Sequence, residues 1–356
     1  MVVQDRHFPV DRRPIFPYIS SVSPAQFRTK RNPGPANIPA KNGPRAQVSI
    51  SHKGLLMTEK KDKVIGLVDE ETGASQALGL WFQDSIEFGH GCTVNIKIRN
   101  VLYHGRSEFQ EIVILETEKL GRMLVIDGIT MLTEFDEHAY HEMIVHPPLL
   151  VHPKPKRVLI IGGGDGGTVR EALRHPEVEA VHLCEIDEAV VTSCRKYLPS
   201  LASSFDDPRV KVFYEDGARF VREHPDAYEV IIVDSTDPVG PGQILFQRPF
   251  YEDMKCALTN QGIAVTQCES IYLHENVIRG VHSFAKELYP KLGYYYTLVP
   301  TYPSGLIGFF FCSRGPDPIQ DINEARAEKL DGLKYYTPSV HRAAFALPRF
   351  ATAYFE

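Results

Sequence analysis

The sequence predicts an α/β protein in which a doubly wound, mostly parallel sheet follows a small antiparallel β domain. From residue 157 onward, short apolar segments alternate with segments of helical spacing. This alternation is typical of a parallel sheet with helices on both faces. From Trp81 to Ile129, polar and apolar residues alternate instead, and Asp127-Gly128 is a strong hairpin-turn signal, which indicates antiparallel strands. A length of 356 residues leaves room for about two domains.

The first 58 residues differ in composition from the rest of the chain. They contain eight of the 26 prolines and nine Lys or Arg against two Asp or Glu, and they show neither helical nor strand periodicity. We therefore predict that residues 1–78 form a basic, proline-rich, disordered extension. A basic, acid-poor segment is also typical of an organelle transit peptide, although the prolines would interrupt the amphipathic helix that such peptides need.

Residues 79–135 are predicted to form the small β-hairpin domain. Its strand-like segments are Val94–Ile98, Ile112–Leu115 and Leu124–Ile126. A helix is expected next, over Glu137–His146. This helix should end before Pro147-Pro148, because a proline inside a helix removes a hydrogen bond and clashes with the preceding turn.

Residues 136–356 are predicted to form the parallel-sheet domain. Its strands are expected at Arg157–Ile161, Ala180–Cys184, Lys211–Tyr214, Tyr228–Val233 and Gly262–Thr266, with helices at Val169–Arg174 and Ala189–Tyr197. The segments Tyr294–Val299 and Ile307–Cys312 are expected to pair as a closing hairpin around Pro303-Ser304-Gly305. The C-terminal stretch Tyr335–Phe350 is interpreted as a packing helix and not as a site.

The net charge of −6 is unevenly distributed. Because the first 58 residues carry +7, the remaining 298 carry −13. An acidic body argues against a nucleic acid as the partner and is compatible with a cationic substrate. No stretch of about 18 consecutive apolar residues exists, so no membrane span is expected. The six cysteines form no C-x-x-C pair, which favours buried free thiols in a reducing compartment over disulfides or a zinc site.

A glycine-rich loop, Gly162 to Gly167, follows the first parallel strand and opens a helix. Glycines at this point allow a ligand to approach the backbone and the helix N-terminus closely. Asp165 inside the loop is informative, because an aspartate would repel the pyrophosphate of a dinucleotide. The loop therefore suits a ligand that is cationic near the strand end. The alternative is that Asp165 only caps the helix.

Acidic residues also end the second and third parallel strands. Glu185 ends the second strand, where one carboxylate can accept from both hydroxyls of a ribose. Asp187 follows two residues later, so one of these two acids can be a solvated loop charge. Asp216-Gly217 ends the third strand, where it would lie beside an adenine or would only form a turn.

Two further carboxylates, Asp234 and Asp237, follow the fourth strand at the sheet edge where ligands bind in open α/β sheets. Since they lie three residues apart in a turn, both can face one cavity; alternatively they cap the turn. As a metal site the pair is incomplete, because no histidine lies at ligand spacing. As an amine site it is chemically sensible, because one carboxylate can accept a proton while the other holds a cationic group.

Six motifs in this order resemble those of the spermidine synthases, the polyamine aminopropyltransferases. They are IGGGDGG at 161–167, CEID at 184–187, EDG at 215–217, DSTDPVGP at 234–241, QCE at 267–269 and PTYPSG at 300–305. The resemblance covers roughly residues 81–350. It implies a Rossmann-like, methyltransferase-like sheet and the transfer of an aminopropyl group from decarboxylated S-adenosylmethionine to putrescine, which yields spermidine and methylthioadenosine. It implies neither a prosthetic group nor a metal.

The resemblance also implies roles for individual residues. Asp165 would hold the aminopropyl ammonium of the donor and Glu185 its ribose, and the other donor contacts would be Gln110, His141, Asp216, Gly217 and Pro241. Asp234 resembles the proton acceptor of the family. The diamine site would be lined by Tyr140, Asp234, Asp237, Tyr302, Gln267 and Glu269. Some relatives carry Gln at the position of His141.

Other functions stay open at this point. Cadaverine, agmatine or spermidine could replace putrescine as the acceptor, because a sequence does not measure pocket length. Asp165 opposes the carboxylate of ordinary S-adenosylmethionine, which favours aminopropyl transfer over the methyl transfer of putrescine N-methyltransferases. A polyamine-binding protein without activity is the alternative outside the enzymes.

The resemblance and the small β domain together predict a homodimer or a homotetramer, since an isolated small β domain is marginally stable. The expected location is the cytoplasm, and the basic extension leaves organelle targeting open. The partners are expected to be small molecules, without nucleic acid or membrane.

Overall fold

The computed structural model describes residues 66–68, 75–77, 80–85, 90–238 and 240–356, without the side chains of 66–68, 75–77 and Pro241. Most of the predicted extension, residues 1–78, therefore lies outside the described residues. Within it, β1 (Gly66–Val68) and β2 (Ser75–Ala77) pair as two antiparallel strands. No helix among the described residues is long and apolar enough to cross a membrane.

The small β domain is a five-stranded antiparallel sheet in which each strand pairs with the next along the chain. Its strands are β3 (Leu80–Gln83), β4 (Asn95–Arg106), β5 (Glu111–Thr117), β6 (Arg122–Ile126) and β7 (Ile129–Thr133). Asp127 and Gly128 form the tight turn between β6 and β7, and both have the positive φ angles that this hairpin turn requires. The hairpin-turn signal in the sequence is thereby confirmed.

The second sheet has seven strands in the order β10-β9-β8-β11-β12-β14-β13. Its strands are β8 (Arg157–Gly162), β9 (Ala180–Glu185), β10 (Val210–Tyr214), β11 (Tyr228–Asp234), β12 (Leu258–Gln267), β13 (Lys291–Leu298) and β14 (Leu306–Ser313). The first five are parallel, and the β13–β14 hairpin adds two antiparallel strands at one edge. The predicted doubly wound, mostly parallel sheet is confirmed.

Helices cover both faces of this sheet. They are α1 (Glu137–Val151), α2 (Gly167–Leu173), α3 (Glu188–Tyr197), α4 (Pro199–Ala202), α5 (Gly217–Glu223), α6 (Arg248–Ala257), α7 (Glu275–Leu288), α8 (Glu324–Ala327), α9 (Pro338–Ala344) and α10 (Arg349–Thr352). Along β8, Val158 and Ile160 enter one buried cluster, whereas Leu159 and Ile161 enter the other. A strand that is buried on both faces reads as a continuous apolar run, which explains the β8 sequence.

The prediction that α1 ends before Pro147 is wrong, since the helix continues through both prolines to Val151. A proline at position 147 cannot donate to the carbonyl of Met143, four residues earlier. The Tyr295 hydroxyl, from β13, donates to that carbonyl at 2.8 Å instead. A tertiary contact thus replaces the missing helical hydrogen bond.

The C-terminal stretch is not one helix. The residues from Phe345 to Pro348 separate α9 from α10, so the helix predicted over Tyr335–Phe350 is interrupted. The packing role is present nevertheless: the Phe345 ring stacks on Tyr295 with the ring centroids 4.8 Å apart.

Candidate active site

The carboxyl ends of β8 and β11 lie side by side, with Gly162 opposite Asp234 in the parallel ladder. Along the chain β8 leads to β9 on one side, while β11 lies on its other side, so the strand order reverses here. This is the crevice in which open α/β sheets bind ligands. Gly162 has φ 78°, and a Cβ atom there would overlap the Asp234 carbonyl oxygen, so only glycine allows this close approach.

A cavity of about 290 Å³ opens at this edge, between the parallel sheet and the small β domain. Twelve of the predicted site residues line it: Gln110, Tyr140, His141, Asp165, Glu185, Asp216, Gly217, Asp234, Asp237, Gln267, Glu269 and Tyr302. The backbone of Pro241 belongs to a short 3₁₀ segment, Gly240–Phe246, and its side chain lies outside the described part of the chain. The sequence prediction for Pro241 therefore stays a prediction.

The cavity is strongly acidic. Its lining includes nine carboxylates: Asp84, Asp136, Glu137, Asp165, Glu185, Asp216, Asp234, Asp237 and Glu269. Among the described residues that line it there is neither a Lys nor an Arg. A concave surface on which one sign of charge predominates concentrates ligands of the opposite sign, so this cavity suits a polycation.

Asp234 receives a hydrogen bond on each carboxylate oxygen. The Tyr140 hydroxyl donates to Oδ1 at 2.7 Å, and the Thr168 hydroxyl donates to Oδ2. Desolvation and the charge of Asp165 raise the pKa of Asp234, although both hydrogen bonds act in the opposite direction. A carboxylate that is held by a hydrogen bond to each oxygen and has a raised pKa is suited to accept a proton.

Asp165 lies between the helix N-terminus and a histidine. Its Oδ1 accepts from the Gly167 backbone N–H at 2.8 Å and lies 3.3 Å from Nε2 of His141. Asp165 is not the N-cap of α2, because Gly166 holds that position; Asp165 precedes it, accepts from the first N–H of the helix and also lines the cavity. Burial would raise the pKa of Asp165, but His141 and the Gly167 N–H outweigh it and lower that pKa.

His141 is enclosed by carboxylates. Its Nδ1 lies 2.6 Å from Oε2 of Glu137, one helical turn earlier on α1, and Arg170 on α2 makes two hydrogen bonds to the same Glu137 carboxylate. Burial alone would lower the pKa of His141, but Asp165 and Glu137 outweigh it and raise that pKa to about 10. The ring is an imidazolium at neutral pH.

One ligand atom each from His141, Asp165 and Asp234 lies within 4.8 Å of the other two, a spacing that metal sites also show. A metal ion binds the lone pair of a neutral imidazole. Because both ring nitrogens of His141 face carboxylates and carry protons, the ring has no lone pair to offer. As arranged here, the cluster is a charged hydrogen-bond network.

At the other end of the cavity, Asp237 contacts Gln267, the last residue of β12, and Glu269, which follows that strand. The Gln267 side-chain amide donates to Oδ1 of Asp237 at 3.3 Å, and Glu269 is also hydrogen-bonded to Asp237. Desolvation raises the pKa of Asp237. His274 lies 3.1 Å from the Glu269 carboxylate, and burial lowers the pKa of His274 to about 4, so this imidazole is neutral. This end combines two acids with uncharged polar groups.

The possibility that one of the two acids at the end of the second parallel strand is a solvated loop charge is wrong, because Glu185 and Asp187 are both buried. Asp187 is buried, caps α3 through the Ala189 N–H, and accepts from Ser107 at 2.7 Å and from the Gln110 side chain at 2.9 Å. It thereby ties the β4–β5 turn to the second strand of the parallel sheet. Its neighbour Glu185 lines the cavity, and burial raises the pKa of Glu185 to about 7.

Two of the remaining predicted residues, Asp216 and Tyr302, line the cavity and also form hydrogen bonds with backbone groups. Asp216 accepts from the backbone N–H groups of Ala218 and Arg219, so it is the N-cap of α5. The Tyr302 hydroxyl donates to the Met131 carbonyl at 2.7 Å, which joins the β13–β14 hairpin to the small β domain.

Sequence reasoning missed Thr168, Asp84 and Arg170. It also missed Glu137, which contacts both His141 and Arg170. Thr168 lies one residue after the glycine loop, so its proximity to the loop is a usable signal. Asp84 accepts from the Thr130 backbone N–H at 2.8 Å. No sequence pattern indicated that contact, because its partner is 46 residues away on another strand.

The chain matches known family models over both sheets. A model described as the spermine/spermidine synthase domain matches residues 137–321, and one described as the spermidine synthase tetramerisation domain matches residues 80–134.

Two known proteins illustrate the sequence similarity. A polyamine aminopropyltransferase of Leptospira biflexa is 48% identical over 277 residues, which span 78% of this chain and 98% of the relative. A spermidine synthase of Dictyostelium discoideum is 46% identical over 271 residues, which span 76% of this chain and 95% of the relative.

Solved structures show the same relationship. A crystal structure of spermidine synthase in complex with the transition state analogue AdoDATO superimposes with a TM-score of 0.76 at 41% identity, covering 78% of this chain and 94% of that chain. The spermidine synthase of Thermotoga maritima gives a TM-score of 0.73 at 39% identity with the same coverage. On the evidence of its sheets, its acidic cavity and these similarities, the chain belongs to the spermine/spermidine synthase family of aminopropyltransferase enzymes.

Proposed function

We propose that this enzyme transfers the aminopropyl group of decarboxylated S-adenosylmethionine to putrescine, giving spermidine and methylthioadenosine. The observation that carries the proposal is the cavity with nine carboxylates and no Lys or Arg among its described lining residues. In it, Asp234 ends β11 and Asp237 follows three residues later. Both substrates are cations, so both gain from this charge. The relatives named spermidine synthase support spermidine as the product.

The donor is proposed to lie along the glycine loop. Asp165 would hold the aminopropyl ammonium through Oδ2, since Oδ1 already contacts His141 and the Gly167 N–H. Glu185 would accept from the ribose hydroxyls, and Asp216-Gly217 would contact the adenine. The remaining donor contacts are proposed for Gln110, His141 and Pro241.

The acceptor is proposed to lie between Asp234 and the opposite end of the cavity. Tyr140 and Tyr302 would flank the diamine, with their ring centroids 6.4 Å apart. Asp237, Gln267 and Glu269 would bind the distal ammonium. This arrangement places the attacking amine next to Asp234, the proposed general base.

In the proposed reaction, the amine nitrogen of putrescine attacks the carbon that is bonded to the sulfonium. A carbon–nitrogen bond forms and the carbon–sulfur bond breaks. The electron pair of the broken bond goes to sulfur, which leaves as the neutral thioether of methylthioadenosine. The proton of the amine goes to Asp234. The leaving group needs no proton, so a single base is sufficient.

Deprotonation of the nucleophile is the costly step. An alkyl ammonium has a pKa of about 10.4, and an unperturbed Asp has a pKa of about 3.9, so the transfer would cost roughly 9 kcal/mol. Desolvation and a neighbouring carboxylate can raise the pKa of an Asp by about 3–5 units, which offsets about half of this cost. Holding the amine in line with the reacting carbon supplies much of the rest.

A product analysis tests this proposal. The purified enzyme would be incubated with decarboxylated S-adenosylmethionine and, separately, putrescine, cadaverine, agmatine or spermidine, and the products would be identified by mass. Ordinary S-adenosylmethionine would replace the donor in parallel reactions. Asp234→Asn is the test variant, and Asp253→Asn, an acid on α6 that does not line the cavity, is the matched control.

We expect spermidine from putrescine, a loss of at least about a thousandfold in Asp234→Asn, and little change in Asp253→Asn. Product from another amine alone would overturn putrescine as the acceptor. N-methylputrescine from ordinary S-adenosylmethionine would overturn the donor. An active Asp234→Asn variant would overturn the base, and diamine binding without any product would leave a binding protein.

We further propose that the chain assembles as a homodimer or homotetramer in the cytoplasm, and that its domains are residues 1–78, 79–135 and 136–356. The description of the model that matches residues 80–134 supports an oligomer. All six cysteines are unpaired, as expected in a reducing compartment; four are buried, whereas Cys92 and Cys256 are exposed.

A further inference from the structure

Asp165 and Asp234 are two carboxylates in one largely buried cavity, and each raises the free energy of ionising the other. The proposed function, on which this inference rests, needs both of them ionised at once: Asp165 to hold the donor ammonium and Asp234 to accept a proton. Two like charges in such a place need a counter-ion.

His141 is in position to be that counter-ion. A nitrogen of His141 and one oxygen from each carboxylate lie within 4.8 Å of one another. The ring is 2% exposed. Its charge follows from proton counting: Nδ1 faces the Glu137 carboxylate at 2.6 Å and Nε2 faces Asp165 at 3.3 Å. An ionised carboxylate only accepts hydrogen bonds, so both nitrogens must carry a proton.

His141 is surrounded by charged and titratable groups from α1, α2, the loop before α2 and the end of β11. On α1, Glu137 and Tyr140 face the ring. Asp165 faces it from the loop before α2, and Asp234 faces it from the end of β11. Arg170 on α2 lies behind Glu137. Arg170 is the only other cation in this set, and its guanidinium is engaged by Glu137 and Glu171. The charge that reaches the two aspartates therefore comes from His141.

We propose that His141 is a permanent imidazolium that serves as the counter-ion of the Asp165–Asp234 pair, and that Glu137 and Arg170 are positioning residues that keep it charged and in place. Its two N–H bonds are used by Glu137 and Asp165, so none is left for the carboxylate of a substrate. His141 thus supplies a positive charge without creating an anion site in a cavity that selects cations.

The pH dependence of kcat/KM tests this role. Removing a cation raises the pKa of nearby carboxylic acids. Asp165 and Asp234 act only when ionised, so activity is lost as the pH falls through their pKa values. His141→Gln should therefore move the acidic limb of the profile upward by about 1–3 pH units. If His141 only contacted a ligand, its loss would raise KM at every pH and leave the limb in place.

Glu137→Gln is the second variant, and it keeps the shape of the side chain. A His141 pKa that falls by a few units still leaves the ring charged at the acidic pH of the limb, so the counter-ion stays in place there. Glu137 raises the pKa of Asp165, and we therefore expect no upward shift in Glu137→Gln and a small downward one. The double variant should keep most of the upward shift of His141→Gln. His146→Gln is the matched control, since His146 is also a buried histidine on α1 but does not line the cavity. The acidic limb of the kcat/KM profile should stay in place in this variant.

A spectroscopic measurement separates this proposal from the proposed function. In protein labelled with ¹⁵N-histidine, the signals that disappear in His141→Gln belong to His141. We expect both nitrogens of that ring to be protonated at pH 8 in the wild type, and its pKa to fall by about 1–3 units in Glu137→Gln. A neutral His141 ring at pH 8, or an unmoved acidic limb in His141→Gln, would overturn the counter-ion. A wild type that makes no spermidine but keeps the imidazolium would overturn only the proposed function.

Discussion

At the residue scale, the Thr168 hydroxyl is one of two donors that hold the Asp234 carboxylate. Thr168→Val removes that donor and preserves the side-chain shape. Because a hydrogen bond to the charged form lowers the pKa of a carboxylic acid, its loss should raise the pKa of Asp234. Asp234 must be ionised to accept a proton, so we expect the acidic limb of kcat/KM to move to higher pH.

The control for Thr168→Val is Thr266→Val, which removes a buried hydroxyl that contacts Tyr251 and does not line the cavity. Both variants lose a buried hydrogen bond and should lose some stability, about 1–3 kcal/mol. Only Thr168→Val should alter the pH profile. Equal profiles in the two variants would contradict the assignment of Thr168 to Asp234.

Glu185 makes a second prediction at this scale, because burial raises its pKa to about 7. The carboxylate form, which offers the most acceptor sites to a ribose, dominates above that pH, and the protonated form dominates below it. We therefore expect the affinity for methylthioadenosine to fall about tenfold from about pH 8 to about pH 6. Isothermal titration calorimetry at both pH values measures this change, and Glu185→Gln should bind weakly with little dependence on pH.

At the scale of the element, α1 depends on a contact from β13. Tyr295→Phe removes the hydroxyl that donates to the Met143 carbonyl and keeps the ring that stacks on Phe345. A buried carbonyl without its partner costs about 1–3 kcal/mol, so we expect the free energy of unfolding to fall by that amount in guanidinium titrations. The control is Tyr296→Phe at the neighbouring, half-buried position. An equal loss in both would show that the Met143 carbonyl does not need this donor.

The elements also show how far sequence reasoning reaches. The five parallel strands, the Asp127-Gly128 hairpin and the glycine loop follow from local patterns, because periodicity and turn residues act over a few neighbouring positions. The continuation of α1 through Pro147 does not, since the donor to the Met143 carbonyl is Tyr295, which lies 152 residues after Met143. For the same reason the buried position of Asp187 leaves no local signal: its partners Ser107 and Gln110 lie about 80 residues earlier.

At the scale of the whole molecule, the small β domain exposes a large aromatic side chain. Trp81 on β3 is 58% exposed, in the segment matched by the model described as a tetramerisation domain. If this surface forms an interface between copies of the chain, Trp81→Glu should lower the molar mass measured by light scattering. Tyr272→Glu, at a 61% exposed position outside the matched segment, is the control and should leave the mass unchanged.

The predicted boundary at residue 78 leads to another whole-molecule prediction. Among the residues that the structure describes, those that line the cavity all lie at or beyond Asp84. A chain that begins at residue 79 should therefore keep its kcat and its KM for both substrates, provided that circular dichroism shows the same fold. A raised KM in this shortened chain would assign part of the first 78 residues to the active site.

The amino-acid sequence by itself determined the parallel sheet, the edge of that sheet at which the active site lies, and most of the chemistry of the site. Parallel strands place their carboxyl ends at one edge, so Asp165, Glu185, Asp216 and Asp234 could be expected to meet there before any contact was known. Only the tertiary structure decided how these acids are held and charged. The charge of His141 depends on Glu137 and Asp165, which come together from a helix and a loop, and the pKa of Asp234 depends on Tyr140 and Thr168. Burial and the approach of groups distant in sequence set both quantities, and neither leaves a local pattern in the chain.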